Sequence, residues 1–75
     1  MPGVLDKKLA DFLRKERGDL SYAAFARKLG LSKTTTYNLE NLWRSPSLQT
    51  VEDICRKLRV SPADIFGEDT FRKRG

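Results

Sequence analysis

Four serines, Ser21, Ser32, Ser47 and Ser61, each stand directly before a stretch whose apolar residues recur at helical spacing. This punctuation constrains the chain more than any other feature. A serine ahead of a first turn accepts a hydrogen bond from a backbone N–H that has no partner inside the helix, so each serine marks a start. The stops are marked as well. Gly18, Gly30 and Gly67 lack the Cβ that resists the left-handed conformation in which helices close. The starts and stops together predict an all-α chain of five short helices, at about residues 5–17, 22–29, 33–42, 48–58 and 62–66.

The apolar stripes give each helix an inward face. Leu5, Leu9, Phe12 and Leu13 fall at i, i+4, i+7 and i+8 in the first helix, with Asp6, Lys7, Asp11, Arg14 and Lys15 off the stripe. Leu20 is placed to staple onto Phe25 at the start of the second. After the loop Arg44-Ser45-Pro46-Ser47, the fourth helix carries Leu48, Val51, Ile54, Cys55 and Leu58 on one expected core face. The fifth begins with Ser61-Pro62-Ala63-Asp64: a cap, a proline at the first helical position and an acid three residues after the cap, with Val60 and Ile65 as a staple. Residues 1–67 read as one domain, and residues 68–75, with Arg72-Lys73-Arg74, as a basic tail expected to be mobile.

Seventy-five residues allow one core. With Cys55 alone, no disulfide can staple the domain, which fits a reducing cytoplasm, and Cys55 is expected to be a small core residue rather than a redox sensor. The absence of histidine removes Cys/His zinc sites and every nucleophile–histidine arrangement, so neither an enzyme nor a metal or other cofactor is expected. The longest apolar runs fall far short of the roughly 20 residues that cross a bilayer, so no membrane partner is expected either. Fifteen Lys and Arg against ten Asp and Glu give a net charge of +5, the electrostatics of a chain that meets polyanions or of one that is merely soluble.

The second and third helices meet across Gly30-Leu31-Ser32, too short a link for anything but a steep crossing, and Ala26 and Gly30 are the small residues that let the backbones approach. Leu31, Thr36 and Leu39 then pack inward. Lys33, Thr34, Tyr37, Asn38 and Asn41 share the outward face of the third helix. Their chemistry suits base edges: lysine donates to guanine O6 and N7, asparagine pairs a donor and an acceptor with adenine, and a threonine methyl meets the thymine methyl. The alternative is an ordinary solvated polar face, although two asparagines are poor helix formers that an indifferent surface would replace with Glu, Lys or Gln.

The stretch LRKERGDLSYAAFARKLGLSKTTTYNLEN, followed by PSLQTVEDICRKLRVSPADIF, resembles the lambda-repressor-like helix-turn-helix family of phage repressors, Cro proteins and xenobiotic-response-element-type regulators. The likeness spans Leu5 to Phe66. It rests on the Arg-Lys-Glu-Arg-Gly approach, the Ala26/Gly30/Leu31-Ser32 turn, Leu39-Glu40-Asn41 and Pro46-Ser47-Leu48 as a spaced set. The resemblance implies a five-helix domain that inserts the third helix in the major groove, usually as a homodimer on a partly palindromic operator of double-stranded DNA. It further implies base reading by Ser32, Lys33, Thr34 and Asn38, and backbone contacts from Tyr22, Asn41 and Arg44, while Tyr37, outside the family pattern, is expected either to stack on the sugar-phosphate backbone or to shield the helix. Arg14 and Glu40 match an ion pair that ties the first helix to the third and neutralises the only carboxylate in the reading helix. A repressor working in the cytoplasm of a bacterium or phage host, nucleoid-associated when bound, is the function so implied.

Four residues depart from the family pattern. Asp19 reads as an insertion after Gly18, Thr36 replaces isoleucine or valine and needs a partner for its hydroxyl, and Tyr37 replaces a small residue. Leu42 replaces the glycine that follows the Glu-Asn pair, so the third helix is expected to run on past it. Leu42 and Trp43 either pack against Leu48 and the fourth helix or form a contact for a second copy or a partner protein. The second case defines the main alternative function, an antitoxin-like or adaptor module. An RNA-binding function lacks the stacking aromatics on a sheet that common RNA modules use.

Overall fold

In the computed structural model, which describes residues 3–67, the four serines cap as their positions predict. Ser21 Oγ accepts from the Ala24 N–H at 3.1 Å, Ser32 Oγ from Thr35 at 3.0 Å, Ser47 Oγ from Thr50 at 3.1 Å and Ser61 Oγ from Asp64 at 3.3 Å. After α1 (Val4–Arg17) they open α2 (Tyr22–Leu29), α3 (Lys33–Glu40), α4 (Leu48–Leu58) and α5 (Pro62–Phe66). The Asp64 carboxylate completes the last cap by accepting from the Ser61 N–H at 2.8 Å. No strand occurs among the described residues. None of the helices among the described residues is long and apolar enough to cross a membrane. The basic tail predicted for residues 68–75, including Arg72-Lys73-Arg74, lies outside the described residues.

The inward stripes converge on one cluster of Leu9, Leu13, Phe25, Leu29, Leu39, Ile54, Cys55, Ile65 and Phe66, with Phe12, Leu31, Val51, Leu58 and Val60 packed at its margin. Within it, α3 lies against both α1 and α2, α4 lies against α2, and α5 closes on α1 and α4. Gly30 turns the chain between α2 and α3 at φ +74, and the next N–H, of Leu31, reaches back to the Ala26 carbonyl at 2.9 Å. Ala26 is buried at the crossing. Thr36, wholly buried, settles its hydroxyl by donating to the Ser32 carbonyl at 2.9 Å. Cys55 is a buried core residue, and desolvation, aided by the charges of Asp64 and Glu52, pushes its thiol up and keeps it protonated.

Two expectations are corrected. α3 ends at Glu40 and does not run on to residue 42. Leu42 itself takes the left-handed conformation, φ +61, and the Trp43 N–H bonds back to the Asn38 carbonyl at 2.9 Å, so a leucine performs the closing role usually given to glycine. A branched side chain in that conformation costs about 1–2 kcal/mol. Leu42→Gly is therefore expected to stabilise the domain by about 0.5–1 kcal/mol in a urea titration, the relief of strain exceeding the added flexibility of glycine. Destabilisation would show that the packing of the half-buried leucine outweighs the strain.

Leu48 is the second correction. It shares the periodicity of the α4 core face yet is 86% exposed. The first turn of α4 overhangs an open groove lined by Leu5, Pro46, Val51, Pro62 and Phe66, so the stripe has no neighbour to meet until Val51 and Ile54.

Candidate nucleic-acid interface

Helix α3 divides cleanly into a fixed side and a free one. Thr36, Leu39 and Glu40 are buried, while Lys33, Thr34 and Tyr37 are exposed and Asn38 is half-exposed. Among the described residues the side chains of Lys33, Thr34 and Asn38 make no hydrogen bond, leaving an ammonium, a hydroxyl and a carboxamide with full capacity for a ligand. Ser32 is more committed. Its Oγ accepts from the Thr35 N–H and donates to the Thr35 hydroxyl at 2.8 Å, which leaves it one acceptor lone pair.

The local electrostatics favour an anion. Helices α1 and α5 place Asp6 and Asp64 in their first turns, whereas α2, α3 and α4 carry no acid there. α3 even begins with Lys33, a cation at the positive end of the helix dipole, an arrangement that opposes folding slightly and is relieved by a polyanion. Of the residues expected at the backbone, Arg44 is exposed and has no partner among the described residues. Asn41 is half-buried and spends its Nδ2 on the Tyr37 carbonyl at 2.8 Å, so only its carbonyl oxygen and one N–H remain. Asp6 reaches this region from α1. Its carboxylate accepts from the Gly3 N–H at 3.0 Å and from the Ser45 hydroxyl at 2.8 Å, and those two donors hold it below the usual carboxylate range while tying down the loop that carries Arg44.

The predicted ion pair of Arg14 with Glu40 is not the one that forms. Arg14 Nη2 donates instead to the backbone carbonyl of Glu40 at 3.1 Å. The carboxylate, wholly buried, is held by Arg17, whose Nε stands 2.9 and 3.1 Å from its two oxygens. That carboxylate raises Arg17 further above its usual range. Arg14 and Arg17 lie three residues apart on the same side of α1, so spacing alone could not choose between them. Arg17 also lies over Tyr22, 4.2 Å from its ring centroid, and Tyr22 meets Tyr37 edge-on with centroids 5.1 Å apart. Sequence reasoning placed both tyrosines at the DNA backbone but missed the arginine joining them to α1.

Trp43 does not pack against α4. It is 77% exposed, and Leu42 beside it is half-buried. The single tryptophan therefore stands in solvent at the end of α3.

Comparison with known proteins adds an independent line. A family model described as a helix-turn-helix domain matches residues 9–65. The chain is 42% identical over 57 residues to the antitoxin PezA of Streptococcus pneumoniae serotype 4, covering 76% of this chain and 35% of the antitoxin. It is 36% identical over 56 residues to the control protein C.MunI of a Mycoplasma species, covering 75% of this chain and 76% of that protein. The chain thus spans about a third of the antitoxin and most of the control protein. No solved structure matches it significantly.

Proposed function

The chain belongs to the lambda-repressor-like helix-turn-helix family, and from that premise we propose that it is a sequence-specific regulator of transcription that binds double-stranded DNA. The observation that carries this reading is the outer face of α3. Among the described residues Lys33, Thr34 and Asn38 have no partner there, while the opposite face is locked into the core. Such a face presents donors, acceptors and a methyl group to base edges from a fixed frame. Ser32 adds an acceptor, and Tyr22, Tyr37, Asn41 and Arg44 supply contacts to the sugar-phosphate backbone.

One reading helix covers only a few base pairs. A homodimer on two half-sites about 34 Å apart multiplies affinity, and a palindromic operator overlapping a promoter makes the protein a repressor. The test is selection of bound duplexes from a random-sequence pool with the purified chain. An enriched inverted repeat with half-sites one helical turn apart is the expected result; recovery without any consensus would sink the proposal.

A second reading has one observation in its favour. Trp43, 77% exposed, is the kind of aromatic anchor that protein interfaces use, and a relative is named as an antitoxin. On this reading Leu42 and Trp43 dock a partner protein. Because Trp43 is in solvent, Trp43→Ala is expected to leave the melting temperature within about 2 °C of wild type. A fall of about 5 °C or more, the scale expected when a core side chain is truncated, would place Trp43 in the packing and remove this reading.

A further inference from the structure

Arg17 links all three helices of the reading unit through its polar head. It leaves the last turn of α1, grips Glu40 of α3 through Nε, donates from Nη1 to the Leu20 carbonyl at 3.1 Å just ahead of α2, and offers the flat face of its guanidinium to Tyr22. Tyr22 in turn meets Tyr37 of α3 edge-on. The side chain is 20% exposed, with its guanidinium lying against the Tyr22 ring. Only a planar, delocalised cation can bond in its plane to a carboxylate and a carbonyl while stacking through its face; an ammonium can satisfy the charge but not the stack.

This arrangement separates two tasks. Arg14 already fixes the end of α3 through the Glu40 carbonyl. The charge of Glu40 needs any cation. Neither requirement calls for a guanidinium lying on a tyrosine. We propose that Arg17 is a positioning residue for the tyrosine pair, holding Tyr22, and through it Tyr37, in the placement that meets the DNA backbone beside the reading helix. The inference rests on the regulator reading above and deepens it: the backbone clamp is a preformed aromatic unit set from α1, rather than two independent hydroxyls. Asp19, the extra residue of the α1–α2 loop, sits between Arg17 and the Leu20 carbonyl it holds, so the loop is fastened at the same point.

The test compares wild type, Arg17→Lys, Tyr22→Phe and the double variant, each as the full chain. It uses the duplex enriched from the random pool and reads the ring-proton shifts of the two tyrosines without DNA. Arg17→Lys is expected to melt close to wild type, because an ammonium still neutralises Glu40. Both tyrosine rings should nonetheless move toward free-tyrosine shifts, and affinity for the duplex should fall about tenfold. Loss of the Tyr22 hydroxyl should then cost about fivefold in the wild-type background and under about twofold in the Arg17→Lys background, since a hydroxyl already displaced has little left to lose. Losses that multiply would overturn the proposal, because Arg17 and Tyr22 would then act separately; so would unchanged ring shifts in Arg17→Lys.

Should Arg17→Lys melt far below wild type, Tyr22→Leu answers the same question from the other side. It leaves the Arg17 to Glu40 bond intact, and it should displace the Tyr37 ring signals and weaken binding at least as much as Tyr22→Phe. An unmoved Tyr37 ring would overturn the coupling. Equal binding of selected and scrambled duplexes by wild type would defeat the regulator reading itself, a result distinct from multiplicative losses in a wild type that discriminates.

Discussion

A protein carrying Lys33→Ala together with Asn38→Ala is expected to lose about 30- to 10⁴-fold in affinity for its preferred duplex, the sum of two base contacts each contributing about 1–3 kcal/mol. The fold should be indifferent to the change. Neither side chain makes a hydrogen bond within the described residues, and both stand on the free face of α3. Alanine is also the better helix former at both positions, and removal of a cation from the first turn relieves the helix dipole, so the melting temperature should hold or rise slightly. Arg44→Ala makes the contrast within the same assay: taking away a guanidinium proposed to meet a phosphate should weaken all sequences alike and reduce the salt dependence. An unchanged affinity in the double variant would remove α3 from the recognition surface.

Phe25→Ala is expected to have the largest effect on the fold. Phe25 is wholly buried in α2, the helix against which both α3 and α4 rest. Truncating such a ring leaves a cavity and costs about 3–5 kcal/mol. A domain of this size has about 4–11 kcal/mol in total, so the variant should be largely unfolded near 37 °C by circular dichroism. Leu48→Ala, from the same hydrophobic class but 86% exposed, should shift stability by no more than about 0.5 kcal/mol. Comparable destabilisation in the two variants would show that the first turn of α4 is packed after all.

That pair of variants marks the boundary between what the residue order reveals and what it does not. Caps are local: a serine three residues before the N–H it accepts, or a glycine at a positive φ, depends on neighbours in the chain, so helix starts and the Gly30 turn were legible. Burial is not local in that sense. Leu48 keeps the period of its stripe, but whether something lies opposite depends on where α1 and α5 end. The end of α3 misled for a related reason. Leu42 disfavours the left-handed conformation, yet the bond from Trp43 to the Asn38 carbonyl and the return of the chain toward α4 impose it.

The outer face of α3 shows the same division. Its outward set followed from helical periodicity and needed only the identity of the buried side. Its support did not. Arg14 and Arg17 share a face of α1, and only the three-dimensional placement of α3 decides that one takes the carbonyl of Glu40 and the other its carboxylate. Likewise, the meeting of Tyr22 with Tyr37 is set by the crossing of α2 and α3.

The most direct test of the central claim is an anisotropy titration of the wild-type chain against its pool-selected duplex and a scrambled duplex of the same composition, each at two salt concentrations. A regulator that reads sequence through α3 should bind the selected duplex at least ~10³-fold more tightly, with the preference surviving at the higher salt. Equal affinities that fall together as salt rises would mean that only the charge of +5 is sensed, and would contradict the account.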